Sequence, residues 1–118
     1  MDLSTDQILE LALSAHAEER LQEAEALYQS ILQFQPDHPH ANYNLGLLVM
    51  SLGQTQNALQ LFINAITANP NVEQFWFSYV ECLIELENFK DVSKMLSDLK
   101  QAGASIDELA TLETKAER

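Results

Sequence analysis

The sequence predicts an all-α fold, a helical-repeat solenoid of stacked helix pairs, on three observations. Apolar residues recur at helical rather than alternating spacing: Ala24, Leu27, Tyr28, Ile31 and Ala58, Leu61, Phe62, Ala65 both follow i, i+3, i+4, i+7. The pattern returns every 34 residues, a step that separates Pro36 from Pro70 and relates Leu11, Leu45 and Tyr79, or Tyr28, Phe62 and Leu96. Residues that stop helices fall between the apolar runs, with Gly53 and Gly103 suited to a left-handed turn and Pro36, Pro39 and Pro70 unable to continue a helix.

The step divides one domain, residues 1–118, into three units at about 5–38, 39–72 and 73–106, each holding two helices. The first helix opens with Ser4 and Gln7 spaced as a capping box and Leu3 and Ile8 spaced as a hydrophobic staple. The stretch QPDHPHANYNLG, residues 35–46, leads from the first unit to the second: Pro36 stops one helix, Asp37 or His38 caps the next, and Pro39 occupies its first turn. Gly53 ends the next helix, and Pro70 separates the second unit from the third. Beyond Gly103, Ser105 and Glu108 repeat the capping-box spacing and start a seventh helix over about 106–116. Its Ile106, Leu109 and Leu112 are expected to cover the end of the stack, while Asp107, Glu113, Lys115 and Glu117 meet water.

A chain of 118 residues, 47% apolar and 20% charged, can bury a core of its own. Its 18 acidic and 6 basic residues leave a net charge of −12, which would repel nucleic acid and anionic membrane surfaces, so neither is expected as a partner. Residues 1–89 hold 12 acids against Arg20 alone, a field that favours a basic ligand, whereas His38 to Val72 carries no charged residue. The start lacks the basic residues of a secretory signal, no apolar run is long enough to span a bilayer, and the single Cys82 agrees with a reducing compartment. The expected location is the cytoplasm.

No catalytic or metal site is expected. His38 and His40 are two residues apart and would point about 160° apart on a helix, with no cysteine or carboxylate cluster to complete a zinc site. Gly46, Gly53 and Gly103 form no phosphate-cradling loop, so no nucleotide site is indicated; no cofactor and no small-molecule substrate are expected. His16 reads as a surface or groove residue and Cys82 as an inert, semi-buried thiol. The chain is thus expected not to be an enzyme.

Leu45, Gly46, Ala58, Phe62 and Pro70 stand in one register in the second unit, and Leu11, Ala12, Ala24, Tyr28 and Pro36 in the first. The third has the aromatic Trp76 but places Tyr79, Val80, Val92 and Ala104 where Leu, Gly, Ala and Pro are usual. In these residues the chain resembles the tetratricopeptide repeat family over most of residues 4–106. The resemblance implies a right-handed solenoid of three helix-turn-helix hairpins with a seventh, capping helix. It also implies that a peptide is held on the concave face, along the first helix of each hairpin. The bulk of Val80 and Val92 should spread the third hairpin relative to the second, where Gly46 and Ala58 stand.

On the first helix of the second unit, Leu45, Gly46 and Val49 form the packing set. A second stripe, Tyr43, Leu47 and Met50, lies beside it with His40 and Asn44. The corresponding residues are Phe77, Glu81 and Ile84 with Gln74 and Ser78 in the third unit, and Leu9, Leu13 and His16 with Asp6 and Glu10 in the first. Together they predict an apolar trough with acidic edges. Its candidate peptide-binding residues are Leu9, Leu13, His40, Tyr43, Asn44, Leu47, Met50, Gln74, Phe77, Ser78 and Glu81.

The expected function is a non-catalytic adaptor that holds an apolar, or apolar and basic, peptide or helix of another protein. The alternatives are the N-terminal repeat module of a larger enzyme, for example a bacterial transferase, and a self-associating domain whose trough is filled by a second copy. Family members that clamp acidic C-termini use two lysines, an arginine and two asparagines. Here only Asn44 stands at such a position, with Leu9, Leu13, Gln74 and Ser78 at the others, so that clamp is not expected.

Overall fold

The apolar runs fold as seven α-helices in the computed structural model, which describes residues 3–117: α1 (Thr5–Ala17), α2 (Leu21–Phe34), α3 (Pro39–Ser51), α4 (Thr55–Ala68), α5 (Glu73–Glu85), α6 (Phe89–Gln101) and α7 (Ile106–Ala116). No strand occurs among the described residues. Thr5, Pro39 and Glu73 begin α1, α3 and α5 at intervals of 34, and Leu21, Thr55 and Phe89 begin α2, α4 and α6 at the same interval. We call the first helix of each hairpin A and the second B.

One turn geometry, used four times, produces this regularity. After α1 the Arg20 N–H bonds to the Ala15 carbonyl at 2.8 Å and the Glu19 N–H to the His16 carbonyl at 3.1 Å, the paired bonds of a Schellman stop. The same pairs recur at Gln54 and Gly53, at Asn88 and Glu87, and at Ala104 and Gly103. The motif needs a left-handed residue at its centre, and Gly53 (φ 83°) and Gly103 (φ 85°) supply it without a Cβ penalty. Glu19 (φ 61°) and Glu87 (φ 59°) adopt it as well, although they have side chains.

Helix starts are more varied. Ser4 and Gln7 form the reciprocal capping box that their spacing predicts. Between the two candidates for α3, His38 is the cap: its Nδ1 accepts the Ala41 N–H at 3.1 Å, with Pro39 in the first turn. The capping box expected at Ser105 and Glu108 does not form. Instead the Ser105 N–H donates to Glu73 Oε1 at 2.7 Å, so a carboxylate from α5 serves the start of α7.

Two positions one step apart make the same hydrogen bond with different chemistry. The Asn42 side-chain amide donates to the Pro36 carbonyl at 3.0 Å, and the Trp76 indole N–H donates to the Pro70 carbonyl at 2.8 Å. Each ties an A helix to the proline turn in front of it. Asn42 is buried, and its amide also reaches the His38 carbonyl. Among the described residues no buried side-chain polar atom lacks a partner.

Packing follows the size of the residues at which the two helices of a hairpin face each other. At Gly46 a Cβ would lie 2.6 Å from Phe62 Cε1, so the absence of a side chain is what lets α3 settle on that ring. Burying a side chain such as Phe62 contributes about 2 kcal/mol. As their bulk predicts, Val80 and Val92 leave α5 and α6 much more sparsely packed than α3 and α4. The core accordingly falls into two clusters: one around Tyr28, Leu45, Leu48 and Phe62, the other around Phe77, Val80 and Leu83, completed by Leu109 and Leu112 of α7. Ile106, expected to help cover the end of the stack, is instead 81% exposed at the very start of α7. On α1, Leu11 is 49% exposed while its equivalent Leu45 is 5% exposed, since α2 covers Leu45 and no described helix lies before α1.

Successive A helices touch one another (α1 with α3, α3 with α5, α5 with α7), whereas no B helix touches the next B helix. The A side is therefore the short, inner side of a curved stack. The whole measures 49 × 26 × 21 Å with a radius of gyration of 14.9 Å, against about 13.5 Å for a compact chain of this length. No helix of the described residues is long and apolar enough to cross a membrane.

Candidate functional site

The curved stack turns its A helices inward, and on this wall the predicted trough divides into two parts. Tyr43 is half-buried, its ring 4.7 Å from that of Phe75 in the next repeat and 5.8 Å from Phe62 in its own, with its hydroxyl 2.9 Å from the Ser78 hydroxyl. One step further, Phe77 is buried in the cluster that holds Leu109 and Leu112, which stand 34 residues after Phe75 and Ser78. The seat shared by Leu9, Tyr43 and Phe77 is the joint between consecutive repeats. Tyr43, Phe77 and Ser78, expected to line an open trough, are spent on stacking. The reason is distance: neighbouring A helices approach so closely that a side chain aimed along the stack is covered by the next repeat.

The other part stays open. Leu13 is 40% exposed and Leu47, its equivalent on α3, is half-buried, while Leu9 is half-buried against the first core cluster. The Asn44 amide donates to the His40 carbonyl at 2.8 Å within α3, which leaves its side-chain carbonyl to face a donor. His40 is exposed and meets the edge of Phe75 at 5.7 Å, Gln74 is exposed, and Met50 is half-buried against the first core cluster. Glu81 pairs with Lys115 of α7, an ion pair across the third repeat that neutralises the trough's acid there. Asp6 and Glu10 remain exposed at the other end, so the open wall grows more acidic toward α1.

The histidines and the cysteine have structural partners. His16 Nδ1 lies 3.0 Å from the hydroxyl of Tyr28, which is fully buried; burial pushes the Tyr28 pKa up to about 12 and lowers that of His16. One hydrogen bond thus joins the imidazole and the buried hydroxyl, with the imidazole tautomer setting which of the two donates. Cys82 is fully rather than partly buried, its S–H donates to the Thr55 carbonyl at 3.2 Å, and burial raises the thiol to about 11, well above the range of a reactive cysteine. Among the described residues no group of three or more His, Cys, Asp or Glu side chains is placed to hold a metal ion.

The sequence model of the tetratricopeptide repeat matches residues 49–116, more than half of the chain. The chain belongs to the tetratricopeptide repeat family. No curated protein sequence matches it. Among solved structures of tetratricopeptide repeat fold, it is similar to the TPR2B domain of yeast Sti1 in complex with pHsp70, with a TM-score of 0.83 and 16% identity over 96% of this chain and 95% of that one. It is also similar to the Sgt2 TPR domain from Aspergillus fumigatus, with a TM-score of 0.80 and 19% identity over 96% of this chain and 77% of that one. A third similar structure is the Yersinia enterocolitica type III secretion chaperone SycD in complex with a peptide of the translocator YopD, with a TM-score of 0.77 and 18% identity over 95% and 86% of the two chains. At these identities the likeness is one of fold. α7 stands in this tetratricopeptide repeat chain where the A helix of a fourth repeat would begin.

Two features of the wall were not evident from the sequence alone. Pairing of Glu81 with Lys115 links residues 34 apart, and the repeat step itself was the available signal. Coverage of Phe77 by α7 was legible only from Leu109 and Leu112, which repeat the seats of Phe75 and Ser78.

Proposed function

We propose that this chain is a non-catalytic protein-interaction module that holds an apolar segment of another protein, flanked by basic residues, along the open A-helix wall. The observation that carries the reading is Leu13 and Leu47 at equivalent seats on neighbouring A helices, one of them 40% exposed, with Asp6 and Glu10 at the rim. Apolar contact supplies affinity, and the acidic rim selects the charge of the flanks. Proteins of similar fold named in complexes with pHsp70 and with a YopD peptide support the peptide reading. The wall of this chain differs from a carboxylate clamp, because Leu9 and Leu13 are apolar where that clamp needs cations, and Ser78 is committed to Tyr43.

The test is a peptide array of apolar segments with basic, neutral or acidic flanks, probed with the chain and with Leu13→Glu. Retention of basic-flanked segments, reduced tenfold or more by Leu13→Glu at unchanged helicity, is expected. No preference for basic flanks, or full retention by the variant, would rule the reading out. Tyr43→Ala and Phe77→Ala are unsuitable probes, since both open the joint. Light scattering at several concentrations tests the competing occupant: a monomer is expected, and a dimer lost on Leu13→Glu would show the wall filled by a second copy.

A further inference from the structure

Trp76, the one tryptophan of the chain, lies away from the open A-helix wall, at the end of the third hairpin where the start of α5 faces the end of α6. A cleft of about 460 Å3 opens there, a size that admits a long side chain. Trp76, Met95 and Leu99 provide apolar walls and Glu73 and Asp98 stand at its edge, with no Lys, Arg or His among the lining residues. The hydrogen bond from the indole N–H to the Pro70 carbonyl holds the ring in place. Glu73 is held by the Ser105 N–H on Oε1, and its second oxygen remains for a donor.

The sequence explains why only this hairpin gapes. In the second repeat Gly46 lets α3 close on Phe62, and Asn42, one step before Trp76, joins α4 through the Asn64 amide at 3.4 Å. In the third repeat Val80 and Val92 replace Gly46 and Ala58, α5 and α6 meet loosely, and Trp76 makes its bond backward to the turn rather than across the hairpin. The separation leaves an aromatic face and two carboxylates around unfilled space.

We propose that this cleft receives an arginine side chain of a partner protein, with the guanidinium stacked on Trp76 and paired with Asp98 and Glu73, and the aliphatic stem along Met95 and Leu99. Charge complementarity selects the occupant: the lining carries two negative charges and no positive one. Arginine suits it better than lysine, because its flat, weakly hydrated cation stacks on indole while its N–H fork bonds carboxylates. This contact lies off the A-helix wall, so a partner reaching both surfaces would bind bivalently.

Because Trp76 is the sole indole, its emission reports this cleft directly. The chain is titrated with acetyl-Leu-Arg-Leu-amide, with acetyl-Leu-Glu-Leu-amide and with N-acetyl-argininamide. The arginine tripeptide is expected to give a saturable change that weakens tenfold or more in Asp98→Lys and with added salt, and the glutamate tripeptide to give none. Asp98 is exposed, so the variant should keep its circular dichroism, and Leu13→Glu on the A-helix wall should leave the titration unaltered. Equal response to both tripeptides, an unaffected Asp98→Lys, or no saturable change up to millimolar peptide would overturn the proposal. So would N-acetyl-argininamide binding as tightly as the tripeptide, which would make the cleft a site for free organic cations.

Discussion

The hydroxyls of Tyr43 and Ser78 meet at 2.9 Å across the joint between the second and third repeats. Ser78 is 4% exposed, so this contact takes the place of water for its hydroxyl. Tyr43→Phe should cost about 1–2 kcal/mol, because it leaves a buried hydroxyl without its partner. Adding Ser78→Ala should return most of that loss. Urea denaturation of the two single variants and the double variant closes the cycle, and strictly additive losses would show that the two hydroxyls are not coupled.

Gly46 is required by the ring it faces. Gly46→Leu is expected to destabilise the chain by about 1–3 kcal/mol through overpacking, since even the first carbon of a side chain would meet Phe62 at 2.6 Å. Phe62 sits in the core and cannot swing aside. The melting temperature checks this, and an unchanged value would contradict the contact.

Glu19 and Glu87 hold the left-handed position that Gly53 and Gly103 hold elsewhere. Replacing either by glycine should stabilise the fold by about 0.5–1 kcal/mol, the relief of an unfavourable φ less the extra chain entropy of glycine. Gly53→Ala should do the reverse even though no atom lies within 4 Å of the added Cβ. Thermal melts of the three variants separate backbone strain from crowding, for both exposed glutamates could also act through charge: Glu19→Gln should then capture the gain, whereas the strain account assigns it to glycine alone.

Stability should fall on mild acidification. Burial lowers the pKa of His16, and burial followed by the charge of His40 lowers that of His38. A folded-state value below the unfolded one means that the folded state binds fewer protons. The contribution is complete above the unfolded value of about 6.5 and is lost as pH drops through the folded values. Protonation of His38 removes the acceptor for the Ala41 N–H, and protonation of His16 places a charge beside the buried Tyr28. His16→Gln with His38→Asn should flatten the urea midpoint between pH 7 and pH 5. Parallel profiles for the variant and the parent would exclude the histidines as the cause.

The helices and their stops were legible because they depend on residues close in sequence. Ser4 with Gln7, Pro39 and Gly53 act within one turn of their own position, and each does what its chemistry predicts. The 34-residue step was legible because stacking makes equivalent residues do equivalent work, as Asn42 and Trp76 do with the prolines before them. Ser105 misled for the opposite reason: Glu73, 32 residues away, reaches its N–H.

By itself, then, the sequence determined the number of helices, their register and the chemistry of some of their ends. Tertiary structure alone decided which residues of the A-helix stripe remained open. Helical periodicity sets the direction of a side chain around its own axis, and that was enough to group Leu13, Tyr43, Leu47 and Phe77. It does not set the distance to the next helix, which side-chain volume at each helix contact controls, as Gly46, Val80 and Val92 do within their hairpins. At that distance Tyr43 and Phe77 close the joints, Leu13 and Leu47 stay accessible, and the third hairpin opens beside Trp76.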